Sequence, residues 1–267
     1  MANKKKHDET NDDKTYFHVM LNIENRMWER KNMKKSKIKK KMNTETKEIQ
    51  KKMYLILNKL RSTYQVKYVS IYLMMLCRNH WDIFTEKIPK NITTLKSKEY
   101  IYNILILSCI FISSNYEELN PPSYNKLIKI IEDYGFKLVN KENKIIRKHV
   151  HIFEKLIWEL TEYQIEIPSA NSFLMQLIKY SKLPREYIFK VSKISNDIIN
   201  HSLETEVICE YKQSSIAISS YLLAIKLTFK NQNEKQNEYI NEIVEYTNQS
   251  LNNLINLRNK LEGVYSK

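Results

Sequence analysis

The chain has 267 residues, 42% of them hydrophobic, with only two glycines (Gly135, Gly263) and five prolines. So little glycine excludes glycine-rich phosphate loops, tight β-hairpins and doubly wound sheets, and leaves an all-α fold with room for one large core or two modest ones. A formal net charge of +14 invites a nucleic-acid reading, but Asn, Lys, Ile and Tyr are all abundant. That is the bias of an AT-rich coding genome, so part of the lysine excess reflects codon supply rather than a polyanionic partner.

The first 13 residues are polar and read as disordered, and with no apolar run among them they lack a secretory signal. Residues 15–30 carry Phe17, Met20, Leu21, Ile23, Met27 and Trp28 at helical spacings. An isolated helix bearing Phe and Trp must dock, on its own bundle or on a partner. Arg30, Lys31, Lys34, Lys35, Lys37, Lys39, Lys40 and Lys41 then form a run with no acid among them. Such a run reads as a solvated connector that contacts nucleic acid weakly at most.

The body begins near Asn43. The spacing predicts helices over 44–62 (Ile49, Met53, Ile56, Leu57, Leu60) and 67–84 (Val69, Tyr72, Leu73, Leu76, Trp81), then a break at Pro89. Ile101–Ser114 is apolar on every side, too short to span a bilayer, and so reads as a helix sheathed by other helices. Pro121–Pro122 precede a helix over 123–134, and 135–143 is a loop before a helix over 144–162. Pro168 opens a second unit, with Ser169 as an N-cap. Helices are expected there over 169–180, 184–201, 211–230 and, as one long element, 237–262. Ser214–Leu227 repeats the all-apolar character of 101–114. Two such central helices predict two stacked helical bundles, over 44–165 and 166–267, after an N-terminal segment 1–43.

Chemistry-bearing clusters are few. Cys77, Cys109 and Cys209 stand singly with no CxxC pair, which argues against a disulfide framework or zinc finger and fits a reducing, intracellular setting. Glu117 and Glu118 are adjacent, so on a helix end they point apart. His149 and His151 sit two apart, unlike the i,i+4 pair of a helical zinc site. No catalytic residue, metal site or cofactor is expected, and no membrane span.

The order of local motifs resembles the cyclin family. Ile112–Ser113–Ser114–Asn115–Tyr116–Glu117–Glu118 resembles the family's A-S-K-(Y/F)-E-E segment, and Asn120–Pro121–Pro122 the loop into its fourth helix. Phe153–Glu154–Lys155–Leu156–Ile157 with Tyr163 and Ile165 is similar to its fifth-helix pattern. Pro168–Ser169–Ala170–Asn171–Ser172–Phe173–Leu174 is similar to the P-T-x-x-x-F-L start of its second box, and Tyr211–Ala224 to a later segment there, with Gln213 in place of proline. Arg78 sits where the family has the Arg of its D-R-F or K-R-F segment. The resemblance covers about residues 44–262.

What the resemblance implies is a fold of two tandem cyclin-box five-helix bundles with flanking N- and C-terminal helices. It also implies a catalytically inert subunit that activates a cyclin-dependent kinase by gripping its regulatory helix. The implied gripping residues are Asn115, Tyr116, Glu118, Glu154, Tyr163 and Ile165. Asn115 replaces the family's lysine, so its anchoring is uncharged. Met53–Leu57 echoes a substrate-docking helix, but Tyr54 replaces its arginine. Together with the extra terminal helices, that resembles the transcription-type members, cyclins H and C. The resemblance leaves room for a third, assembly-factor subunit and implies residence in the nucleus. Two other classes compete: a nucleic-acid-binding cyclin-fold factor resembling transcription factor TFIIB, and a helical scaffold for some other partner. The first lacks its paired-cysteine zinc ribbon here.

Overall fold

A computed structural model describes residues 16–29, 44–93, 97–135, 138, 143–205, 207–230 and 232–266. The polar N-terminus, the basic run 30–41 and most of the loop 135–143 lie outside the described residues. Every regular element among the described residues is a helix. They are α1 (residues 16–29), α2 (Thr44–Lys59), α3 (Tyr64–Asn79), α4 (Trp81–Glu86), α5 (Lys90–Thr93), α6 (Lys98–Glu117) and α7 (Tyr124–Asp133). After them come α8 (Asn143–Leu160), α9 (Ala170–Tyr180), α10 (Arg185–Ser202), α11 (Val207–Glu210), α12 (Gln213–Thr228), α13 (Asn233–Thr247) and α14 (Leu251–Tyr265). The chain divides into two compact units, one built from α2–α8 and one from α1 with α9–α14.

In the first unit, α6 is the axis. Ser97 caps its start, its side-chain oxygen accepting the Tyr100 N–H at 3.2 Å. From Tyr100 to Ile110 each side chain is buried, because α3, α5, α7 and α8 surround the helix. Buried hydroxyls would be costly unless bonded. Ser108 donates to the Ile104 carbonyl at 2.8 Å and Ser113 to that of Cys109 at 2.9 Å, while Ser70 of α3 touches Ser113. Small side chains at these positions let α3 and α6 approach closely. Ser123, directly after Pro121–Pro122, caps α7 by accepting the Lys126 N–H at 3.4 Å.

The helix expected over 67–84 is in fact two. The chain turns at His80 between α3 and α4. Trp81 stacks on Tyr102 of α6 (centroids 4.7 Å apart, planes 15° apart), and Phe84 meets Phe153 of α8 edge-on at 5.5 Å. Aromatic packing on neighbouring helices overrides the local helical periodicity.

In the second unit α12 takes the same central place, packed by α9, α10, α13 and α14 and buried from Ile216 to Ile225. Ser169 caps α9, accepting the Ser172 N–H at 3.3 Å, as its place after Pro168 predicts. The N-terminal helix α1 belongs to this unit. Phe17 is fully buried, 5.4 Å from the ring of Phe173 and 5.2 Å from that of Tyr246. Glu24, also buried, accepts from the Ser214 backbone N–H at 3.0 Å and from its hydroxyl at 2.5 Å, capping α12 from another helix.

The single long helix expected over 237–262 is also two, α13 and α14. Asn248 closes α13 in the left-handed conformation (φ 51°, ψ 37°) and donates to the Val244 carbonyl at 2.9 Å. A straight helix of that length runs about 40 Å, against about 24 Å for α12. The break lets Tyr246 of α13 stack on Tyr180 at 3.8 Å while Leu254, Leu257 and Leu261 of α14 are buried.

Candidate functional site

The candidate surface lies in the first unit, at the C-terminal end of α6 and along α8. α6 ends where its apolar character ends. Ser114 is buried, whereas Asn115 is exposed and Tyr116 is 50% exposed. Glu118 is half-buried with extended backbone, its N–H closing the helix on the Ser114 carbonyl at 2.9 Å. Leu119 follows, fully exposed. Glu117 accepts from Gln65 of α3 at 3.5 Å. Partial burial holds the Glu117 carboxyl above its ordinary value, and Glu166 adds to the rise. Tyr116 is raised as well, by desolvation first and then by Glu166 and Glu117. Glu166, at the end of the turn after α8, therefore lies beside the end of α6.

That turn has a marked backbone. Glu162 (φ 53°) and Tyr163 (φ 61°) are both left-handed, a conformation that costs an ordinary L-residue roughly 1 kcal/mol or more. The Tyr163 N–H donates to the Trp158 carbonyl at 2.8 Å, and its ring lies parallel to that of Trp158 with centroids 6.4 Å apart. Tyr163 is left 69% exposed, while Ile165 is 2% exposed and anchors the turn from within.

Glu154 stands two to three turns earlier on α8 with its side chain 15% exposed. Its carboxylate meets the His151 Nδ1 at 2.7 Å. Burial lifts the Glu154 carboxyl above its usual range, and His151 and Tyr124 partly offset that. Tyr124 of α7 stacks on Phe111 at 4.0 Å, and burial and then the Glu154 carboxylate push its phenol upward. Glu154 is thus a paired, partly buried acid, fastened by α7 and its own helix. His149, two residues earlier, points the other way: buried, its Nδ1 is 2.8 Å from the Tyr100 hydroxyl.

Of the six residues named from the sequence, Asn115, Tyr116 and Tyr163 present open surface, Glu118 and Glu154 are half-buried, and Ile165 is interior. Sequence reasoning missed Leu119, Glu166, Trp158 and the Tyr124–His151 setting of Glu154. Only an exposed Leu beside Pro121 could have been suspected; the others depend on which helices meet. Among the described residues no three His, Cys, Asp or Glu side chains gather as metal ligands, and no helix is long and apolar enough to cross a membrane.

No protein-family model matches the chain, and no curated protein matches its sequence. Solved structures do match. A viral cyclin from herpesvirus saimiri superposes with a TM-score of 0.62 at 18% identity, over 93% of this chain and 97% of that one. The CAK complex from Chaetomium thermophilum bound to ATP-γ-S matches at a TM-score of 0.43 and 10% identity, over 83% of this chain and 66% of that one. The first likeness is one of fold, the all-α cyclin fold, and each of the two units here is a helical bundle around a buried central helix.

Proposed function

We propose that the chain is a non-catalytic subunit that binds and activates a cyclin-dependent protein kinase, of the CDK-activating or transcription type. The observation that carries this reading is the cyclin fold over nearly the whole chain, with Tyr116, Leu119 and Tyr163 exposed in and beside the family motifs. An activator of this kind works by binding the active arrangement of the kinase better than the inactive one. Here the exposed aromatics would seat against the kinase's regulatory helix and hold its glutamate against the ATP-positioning lysine, an ion pair that phosphoryl transfer requires. Two features support the transcription-type assignment. The additional helix α1 packs with the C-terminal helices, and Tyr54, at the place of the docking arginine, is buried with Lys67 over its ring at 5.4 Å. The same reading places the protein in the nucleus and admits a third, assembly-factor subunit.

The test is capture from native extract by the wild-type chain and by a Tyr116→Ala, Glu154→Arg variant. Recovery of a cyclin-dependent kinase with wild type alone, and phosphorylation of histone or polymerase-tail substrate by that eluate, is the expected result. Equal recovery by both chains removes the surface from the proposal. Enrichment of DNA with base-sequence preference and no kinase replaces it with the nucleic-acid class.

A further inference from the structure

α8 has a second surface that the kinase reading does not use. Its buried face is Ile146, Val150, Phe153, Leu156 and Ile157. On the opposite face, Lys144, Arg147, Lys148, His151 and Lys155 recur at helical spacing, and all five are exposed. With Ile152, and with Asn125 of α7, they line a groove of about 740 Å³ in which no lining residue is acidic.

The groove is partly preorganised. Arg147 Nη2 donates to Asn125 Oδ1 at 3.0 Å, and its guanidinium lies 5.5 Å from the Tyr124 ring centroid. A cation already held on two sides loses less side-chain freedom when it binds an anion. Glu154 is the neighbouring acid; its side chain is only 15% exposed and its carboxylate is engaged by His151, while Lys144, Arg147, Lys148 and Lys155 are exposed. Ile152 and the methylene stems of the lysines give the floor an apolar character. From Lys144 to Lys155 the stripe is about 16 Å long, the reach of about five extended residues.

The groove's lining offers a single ring, the His151 imidazole, held by Glu154 at 2.7 Å and edge-on to Tyr124, which is little platform for successive bases. The Tyr124 ring is stacked on Phe111 at 4.0 Å, with Arg147 near its face and His151 edge-on at 5.8 Å, so it has no face open to a nucleobase. The combination of spaced cations, an apolar floor and a length of one short segment fits a polypeptide instead.

We propose that the groove between α7 and α8 docks an extended acidic segment of a partner protein, its Asp or Glu carboxylates on Lys144, Arg147, Lys148 and Lys155 and one apolar side chain on Ile152. The site can be read without a kinase. The experiment is fluorescence anisotropy of the full chain, at about 0.15 M salt, with a labelled peptide of about ten residues carrying glutamates around a central leucine. Its glutamine counterpart and an oligothymidylate of similar length are the competitors. The glutamate peptide should bind saturably, the glutamine peptide about tenfold more weakly. Lys148→Glu with Lys155→Glu should cost about tenfold or more, with unchanged helical circular dichroism. Replacing the lysines of the run 34–41 by glutamine should leave peptide affinity nearly unchanged. Absence of saturable binding, indifference to the double charge reversal, loss through the 34–41 variant, or tighter binding of the oligothymidylate through Lys148 and Lys155 would each overturn the proposal.

Discussion

Glu24 is an acid in a place that water does not reach, held by the backbone N–H and the hydroxyl of Ser214. Burial outweighs those bonds and the nearby Lys212, and its carboxyl is raised above the ordinary 4.5. The folded state therefore binds the proton more tightly than the unfolded chain does. Stability from this group is fully present below about pH 4.5 and is lost as pH rises through the higher folded value. Glu24→Gln, which keeps an acceptor for the Ser214 N–H but cannot ionise, should gain on the wild type as pH rises from 4 towards 7, measured by urea unfolding. A gap between the two chains that stays constant with pH would refute this. Glu24→Ala leaves the start of α12 without its acceptor and should cost about 1–3 kcal/mol at neutral pH in the same assay. At the candidate surface the contrast is instructive. Tyr163 is exposed and spends backbone strain on its position, so Tyr163→Ala should change stability by no more than about 0.5 kcal/mol while weakening kinase capture.

At the scale of elements, the breaks are as informative as the helices. Asn248 ends α13 in a conformation that glycine adopts freely, asparagine tolerates and β-branched residues resist. Asn248→Gly should therefore be neutral or slightly stabilising, and Asn248→Val should cost about 1–2 kcal/mol in thermal unfolding. Equal effects of the two would mean that the turn is held by packing rather than by backbone preference. The paired serines of α3 and α6 set the closeness of those helices. Ser113→Leu forces a branched side chain into a fully buried site against Ser70, and a loss of about 1–3 kcal/mol is expected.

At the scale of the molecule, the proposed activation of a kinase is a matter of population. Shifting a kinase from about 1% to about 99% active requires roughly 5.5 kcal/mol of preference for the active form. Exposed aromatic anchors contribute about 2–4 kcal/mol each when they are hot spots, so loss of Tyr116 together with reversal of Glu154 should abolish activation, not merely reduce it. Kinase activity retained at more than about a tenth of wild type would argue against this surface. The net charge of +14 makes a separate prediction. Glutamine in place of the lysines between 34 and 41 should remove salt-sensitive DNA retention on a heparin-like or DNA column while leaving kinase capture intact.

The sequence by itself determined the fold class and the axis of each bundle. Scarcity of glycine and two stretches apolar on every side admit only helices buried among helices, and α6 and α12 are those stretches. The capping serine at 169 was likewise readable, because a cap is a bond between residues three apart in the chain. Tertiary structure decided the rest. The turn at His80 follows from Trp81 finding Tyr102, and the division of α13 from α14 from the length of the helix beneath them. The burial of Glu24 on Ser214 joins residues 190 apart. That Ile165 turns inward while Tyr163 turns outward depends on a two-residue left-handed turn. Periodicity reports which side of a helix is apolar. It does not report which neighbour covers that side, and the exposure of a binding residue is set by the neighbour.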